Sequence, residues 1–199
     1  MFPIMLDLKD KHCVVIGGGK IAARKLTTLL RSGAQITVIS PEICDEIKFL
    51  ANEKKVIVFQ RDVQYEDYQD AFLVIAATHS LEINSTVAAN IGTNQLLNVV
   101  NKHELGNFHI PASFSRGKLQ INVSTSGASP HLAKKIRNEL MNKYDESYEA
   151  YVDFLYECRQ SIKHIADLKI KASLLEELLD DKYRLSKEER QQFKNRNNL

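Results

Sequence analysis

Short apolar runs rich in β-branched residues alternate with helical patterns over the first 100 residues of this 199-residue chain. The runs are HCVVIG, QITVIS, KVIVFQR, AFLVIAAT and LLNVV, and segments with helical periodicity lie between three of the successive pairs. Strands that are apolar throughout are typical of sheets buried on both faces. The alternation therefore predicts an α/β fold with a doubly wound parallel sheet.

A glycine-rich turn joins the first strand to the first helix. Gly17, Gly19 and Ala22 fit the pattern G-x-G-x-x-A, and they lie directly after a strand and before a helix, the context that this motif requires. Gly17 allows a tight turn, Gly19 lets a pyrophosphate approach the backbone, and Ala22 lets the helix pack close to the strand. The free N–H groups at the start of the helix then face the phosphates, so the motif predicts a Rossmann-type dinucleotide site.

The end of the second strand indicates which dinucleotide binds. The strand closes on Ser40, followed by Pro41 and Glu42, and no Lys or Arg stands beside Ser40 to take a 2′-phosphate. This favours NAD over NADP. Thr78, the last residue of the run AFLVIAAT, lies where the nicotinamide is expected. The predicted cofactor-binding residues are Gly17, Gly19, Lys20, Ile21, Ala22, Ser40, Pro41, Glu42 and Thr78.

The strand–helix alternation ends near Val100. A segment that alternates around the turn SRGK predicts a hairpin, and a helix is expected from Pro130, with Ser129 as its N-cap. Helical patterns continue to the end, with a capping box at Ser186. We expect an NAD-binding Rossmann domain over 1–112, a small α+β dimerisation segment over 113–145 and a helical C-terminal domain over 146–199. Apolar faces in the second of these predict a symmetric homodimer.

Composition excludes several classes of protein. The net charge of +2 gives no general affinity for polyanions, so no nucleic acid is expected as a partner. No run reaches transmembrane length and the N-terminus lacks the features of a signal peptide, so we expect no membrane association and a cytoplasmic protein. Cys13, Cys44 and Cys158 are widely spaced, which predicts neither a metal site nor a disulfide framework.

Several segments resemble the precorrin-2 dehydrogenase family, of the siroheme synthase N-terminal domain type. The resemblance covers about the first 140 residues and is carried by MFPIMLDLKDKHCVVIGGGKIAARK, LVIAATHSLEIN, LNVVN and FHIPASFSRGKLQINVSTSGASPHLAKKIRNEL. It implies NAD-dependent oxidation of precorrin-2 to sirohydrochlorin, a step toward siroheme and in some organisms cobalamin. It also implies a homodimer joined through the segment after the Rossmann domain. Some relatives also insert ferrous iron into the product.

The substrate that this resemblance implies is a macrocycle bearing many carboxylates. Such a substrate needs cationic and neutral hydrogen-bond donors, and the segment after Val100 carries several of them. The residues predicted to bind the substrate are Asn107, His109, Ser124 and Ser126.

Asn101 marks a departure from the family, because several relatives carry an aspartate at that position. An amide cannot take up a proton at neutral pH. Glu104 and His103 are the nearest candidate bases, or the reaction needs no strong base. The predicted catalytic residues are thus Asn101, His103 and Glu104. Two alternatives remain: an enzyme that is both dehydrogenase and ferrochelatase, and a non-catalytic NAD-sensing module.

Overall fold

The computed structural model describes residues 1–199. The chain divides into two compact units, Met1–Ile110 and Pro111–Leu199. None of its helices combines the length and the apolar character needed to cross a membrane.

The first unit is a five-stranded parallel sheet with helical connections. The strands are β1 (His12–Ile16), β2 (Gln35–Ile39), β3 (Ile57–Phe59), β4 (Leu73–Ala76) and β5 (Leu96–Val99). The helices are α1 (Lys20–Leu30), α2 (Asp45–Asn52) and α3 (Leu81–Ala89). The strand order is β3-β2-β1-β4-β5 and every pairing is parallel, which confirms the predicted Rossmann-type fold.

Alternate residues of the strands face two apolar layers. Val15 of β1 packs with Leu26 of α1 on one side of the sheet, whereas Val14 packs with Val87 of α3 on the other. Cys13 is fully buried in the first layer, and burial raises the pKa of its thiol to about 11. This cysteine is therefore a packing residue.

Asn107 covers the free edge of β5. Its backbone N–H donates to the carbonyl of Leu97 at 2.9 Å, and its side-chain Oδ1 accepts from the Leu97 N–H at 2.8 Å. Its Nδ2 donates to the carbonyl of Gln95 at 2.7 Å. The Asn107 side chain thus supplies hydrogen bonds that a sixth strand would otherwise provide.

The second unit contains a hairpin and five helices. Strands β6 (Ala112–Arg116) and β7 (Leu119–Val123) pair in antiparallel fashion, as predicted, with Gly117 in the turn at φ +53°. The helices are α4 (Pro130–Lys143), α5 (Ser147–Ile162), α6 (Leu168–Glu177), α7 (Asp181–Leu185) and α8 (Lys187–Asn197).

Helix caps and a small aromatic core stabilise this unit. The Ser129 hydroxyl accepts from the Leu132 N–H at the start of α4, which confirms the predicted N-cap. The Ser186 hydroxyl accepts from the Glu189 N–H at the start of α8, which is the N-cap bond of the predicted capping box. The core of helices α5–α8 is built from seven buried side chains: Tyr151, Phe154, Cys158, Ile162, Leu178, Tyr183 and Phe193.

Candidate cofactor and active site

A cleft of about 430 Å³ opens at the carboxyl ends of β1, β2 and β4. The chain adds β2 and β3 on one side of β1 and then crosses over to add β4 and β5 on the other side. Dinucleotides bind at such a switch point, between the first strands of the two halves. The lining residues are Ile16, Gly17, Gly18, Gly19, Ile39, Ser40, Pro41, Glu42, Ile43, Cys44, Asp62, Val63, Ala77, Thr78, His79 and Ile83.

The floor of the cleft is a backbone turn that admits no side chains. Gly17 has φ +120°, and a Cβ there would lie 2.5 Å from the carbonyl oxygen of Ala77. A Cβ on Gly18 would lie 1.9 Å from the carbonyl oxygen of Glu42. The Cys44 N–H donates to the Gly18 carbonyl at 2.8 Å, which ties the loop after β2 to the loop after β1. Glycine is therefore required at both positions by close contacts within the protein itself, independently of any ligand.

Gly19 differs because its missing side chain leaves room for a ligand. A Cβ on Gly19 would meet only the imidazole of His79, at 3.9 Å, and otherwise point into open space. Gly19 caps α1 without a side-chain hydrogen bond, and the first turn of α1 carries no acidic residue. The first N–H groups of the helix are thus free to receive an anion, and the site fits a pyrophosphate.

Two other residues of the predicted glycine motif have different surroundings. Ala22 is fully buried against the sheet, where only a small side chain lets α1 approach β1. The side chain of Lys20 borders a separate open groove between α1 and α2 and does not line the cleft.

The loops after β2 and β3 each bring an acidic residue to the second side of the cleft. The Ser40 hydroxyl donates to the Glu42 carbonyl at 2.7 Å, so Ser40 shapes this loop. Asp62, which follows β3 and was not anticipated from the sequence, lines the cleft together with Glu42. No lysine or arginine does so, and Arg61 forms two hydrogen bonds, at 2.7 and 2.6 Å, with the carboxylate of Asp67.

Thr78 and Asn101 are joined through a buried asparagine. Asn84 of α3 accepts a hydrogen bond from the Thr78 hydroxyl at 2.8 Å and donates to the Asn101 Oδ1 at 3.0 Å. Asn84 is only 1% exposed, whereas Asn101 lies at the surface. Sequence reasoning missed Asn84, although a polar residue three positions before the apolar Val87 on one helix face is a detectable signal.

His103, Glu104 and His109 lie together after β5. The Glu104 carboxylate is 3.5 Å from Nδ1 of His103, and the ring centroids of His103 and His109 are 5.7 Å apart. Both members of the His103–Glu104 pair are well exposed, so the pair contributes little to stability. The structure thus brings the two candidate bases into contact with each other.

The predicted substrate-binding serines lie in the loop between β7 and α4. Ser126 adopts a positive φ of 51°, and its N–H donates to the Ser124 hydroxyl at 3.1 Å. Thr125 closes the same loop, because its hydroxyl accepts from the Ser129 N–H at 3.0 Å. That Ser124 and Ser126 bind the substrate stays a prediction.

Protein-family models match the chain in three segments. Residues 4–112 match an NAD(P)-binding family, residues 116–143 match a family described as sirohaem biosynthesis protein central, and residues 148–193 match a SirC C-terminal domain. The first match, the strand order and the glycine-lined cleft define a Rossmann-type protein that binds a nicotinamide dinucleotide.

Relatives that align over most of the chain specify the family. The chain is 41% identical to the precorrin-2 dehydrogenase of Priestia megaterium, over 97% of this chain and 96% of that protein. It is 39% identical to the precorrin-2 dehydrogenase of Bacillus subtilis, over 80% of this chain and 99% of that protein. A solved structure of SirC, a precorrin-2 dehydrogenase, superposes with a TM-score of 0.85 at 40% identity and covers 98% of each chain. The chain belongs to the precorrin-2 dehydrogenase family and is an oxidoreductase.

Two glycine substitutions separate the two roles found in the turn. Gly19→Asp has room for its side chain but places a carboxylate against the pyrophosphate position, so we expect a folded protein whose NAD affinity falls at least a hundredfold. Gly18→Ala forces a methyl group into the Glu42 carbonyl, so we expect a lower melting temperature. Calorimetric titration and thermal unfolding measure the two effects. Normal NAD affinity in a folded Gly19→Asp protein contradicts this assignment of the cleft.

Proposed function

We propose that the chain binds NAD in the cleft at Gly17–Ala22 and oxidises precorrin-2 to sirohydrochlorin in siroheme biosynthesis. In the balanced reaction, precorrin-2 and NAD⁺ give sirohydrochlorin, NADH and a proton. The observation that carries the proposal is the cleft at the switch point, open at Gly19 and bordered by two carboxylates, in a chain 41% identical to a precorrin-2 dehydrogenase.

The residues of the first unit divide the work of binding and orientation. Gly19 and the N–H groups of α1 would hold the pyrophosphate, and the loop from Ser40 to Glu42 would border the adenosine. Thr78 lines the cleft just beyond the carboxyl end of β4, on the other side of β1 from that loop, and would border the nicotinamide. The bound dinucleotide supplies the hydride acceptor, so the protein's task is to hold the substrate beside it and to receive or release a proton.

Absorbance spectroscopy tests this function directly. Purified protein supplied with precorrin-2 and NAD should produce NADH and the sirohydrochlorin spectrum at equal rates. Protein that binds NAD and yet yields neither product contradicts the proposed function.

A siroheme synthase of Nitrosospira multiformis supports the proposed place in siroheme biosynthesis, since it is 36% identical over 81% of this chain and 35% of that protein.

The charge of the cleft predicts a preference for NAD. Glu42 and Asp62 repel a 2′-phosphate, and no cation in the lining offsets them. We expect NAD to bind at least tenfold more tightly than NADP. The combined Glu42→Gln and Asp62→Asn substitutions should narrow that ratio, whereas Asp70→Asn, an exposed site outside the lining, should leave it unchanged. Equal affinity of the unsubstituted protein for both dinucleotides contradicts the proposal.

Asn101 and Glu104 are proposed to have different roles in catalysis. Asn101 orients the substrate by hydrogen bonding, so Asn101→Ala should lower kcat/KM by about tenfold to a hundredfold. Glu104→Gln keeps the shape and removes the charge, and the loss of a general base typically costs about a hundredfold to ten-thousandfold. If Glu104→Gln retains the rate of the unsubstituted enzyme, then no carboxylate of this loop is the base. The proton is then lost to water or to His103.

The residue at position 101 also bears on iron insertion. Metal insertion must remove two pyrrole protons, and Asn101 presents no carboxylate that accepts one. We therefore propose a dehydrogenase with weak or no ferrochelatase activity. Anaerobic incubation of sirohydrochlorin with ferrous iron measures this, and Asn101→Asp is the variant in which a gain of siroheme formation is expected.

The hairpin and α4 are proposed to form the dimerisation segment, as part of the division 1–112, 113–145 and 146–199 in a cytoplasmic enzyme. Every apolar side chain of β6 and β7 remains partly exposed, and Ala133 is the only buried residue of α4. Such a layer lacks a core of its own, and two-fold pairing is a common way to cover it.

Light scattering tests the dimer. At micromolar concentration we expect a mass of about twice the 22.6 kDa of one chain. Leu132, on α4, is 48% exposed, and Leu132→Glu should shift the equilibrium toward monomer by charging the apolar layer. Leu185→Glu, at a site 70% exposed on α7, is the matched control and should leave the mass unchanged. A monomer for the unsubstituted protein contradicts the assignment.

A further inference from the structure

Asn84 makes three hydrogen bonds beside the cleft. The roles proposed above for binding and catalysis do not depend on any of them. Its Nδ2 donates to the Thr78 carbonyl at 3.1 Å and to the Asn101 Oδ1 at 3.0 Å. Its Oδ1 accepts from the Thr78 hydroxyl at 2.8 Å. A buried amide with this many partners holds a single orientation, because a flip breaks several bonds at once.

The direction of these bonds fixes the orientation of Asn101. A backbone carbonyl can only accept, so the Asn84 atom that faces the Thr78 carbonyl must be the nitrogen. The same nitrogen faces Asn101, which must therefore turn its oxygen inward. The Nδ2 of Asn101 is left pointing away from Asn84, at an exposed position.

We infer that Asn84 is a positioning residue that makes position 101 a hydrogen-bond donor toward the substrate. This inference rests on the proposed function, and it adds the residue that sets the polarity of the site. Asn84 touches neither substrate nor cofactor. It acts through Asn101.

The ligand atom that such a donor recognises is an acceptor oxygen. Two sources offer one: a carboxylate of the tetrapyrrole and the carboxamide oxygen of the nicotinamide. Asn101 is not among the residues that line the dinucleotide cleft, so its outward N–H is assigned to a substrate carboxylate.

A double-mutant cycle on kcat/KM separates positioning from a general structural effect. Asn84→Ala should lower kcat/KM for precorrin-2 about tenfold in the unsubstituted protein and less than twofold in the Asn101→Ala background, since the two residues act as one unit. In Asn84→Ala the single proton of the Thr78 hydroxyl can turn to the Ser80 carbonyl, 3.0 Å away, so Thr78 keeps a hydrogen-bond acceptor and stays in place. The drop in melting temperature caused by Asn84→Ala should be similar in the two backgrounds, because its two hydrogen bonds to Thr78 are lost in both and only the bond to the exposed Asn101 differs. Asn90→Ala, at the exposed C-cap of α3, is the matched control and should retain activity.

The KM for precorrin-2 and the affinity for NAD, measured on Asn84→Ala, identify the ligand atom that Asn101 contacts. A higher KM for precorrin-2 with unchanged NAD affinity supports contact with a substrate carboxylate. Weaker NAD binding with unchanged KM for precorrin-2 overturns that assignment in favour of the carboxamide. An equal loss of kcat/KM in both backgrounds of the cycle overturns the positioning role itself.

Side-chain amide exchange measured by NMR on ¹⁵N-labelled protein tests the same orientation without any reaction. The Asn84 amide protons should exchange slowly with water and the Asn101 amide protons quickly. Asn101→Ala removes one acceptor at an exposed site, so it should speed exchange at Asn84. Asn84→Asp replaces the donor by an acceptor, so the Asn101 amide should turn inward and become protected.

These measurements keep the inference separate from the proposed function. An unsubstituted protein that shows the expected exchange pattern and yet fails to oxidise precorrin-2 removes the proposed function and leaves the orientation of Asn101 standing. Fast exchange at Asn84, or exchange there that Asn101→Ala leaves unchanged, overturns the inference whatever the activity.

Discussion

The loops after β1 and β2 meet at Gly18, where their backbones approach too closely for any side chain. The hydrogen bond from Cys44 to Gly18 holds this approach, and the bond from Gly17 to the Ile39 carbonyl at 2.9 Å extends it to the end of β2. Because the two loops are fixed to each other, Glu42 is held in the same cleft as the open face of Gly19. The position of the acidic side of the cleft relative to the start of α1 thus depends on these backbone contacts between the two loops.

A second buried constraint acts on the opposite side of the cleft. Asn84 satisfies its donors and its acceptor within the loops after β4 and β5, and an unpaired amide at that depth would be costly. The network therefore fixes Thr78 and Asn101 together. Since Asn84 belongs to α3, whose N-cap is the Ser80 hydroxyl, the cap and the network stabilise the same stretch of chain.

The sequence predicted the sheet and the glycine turn because both depend on local patterns. Runs such as CVVI and LVIA are apolar throughout, and their alternation with helices predicts parallel pairing, whereas the order of the strands came from the structure. The turn was recognised from the spacing of Gly17, Gly19 and Ala22 together with their place between a predicted strand and a predicted helix. Strand β3 is shorter than its apolar run, because pairing with β2 spans only Ile57–Phe59.

The hydrogen-bonding roles of polar side chains required the structure. Asn107 was predicted to bind substrate, yet both polar atoms of its side chain bond the backbone of β5. Such bonds join residues ten or more positions apart, and no local pattern encodes them. Asp62 was missed for the same reason, since it reaches the cleft only because β3 pairs beside β2.

Position 101 shows how one buried donor determines what chemistry its neighbour offers. With asparagine there, the Asn84 N–H binds the amide oxygen and leaves a donor facing outward. With aspartate, the same N–H would bind one carboxylate oxygen and leave the other facing outward as an acceptor. A hydrogen bond to the charged form lowers the pKa of a carboxyl group, so such an aspartate would stay ionised near neutral pH. The same scaffold therefore supports either a hydrogen-bond donor or a carboxylate at this position, and the asparagine in this chain supplies the donor.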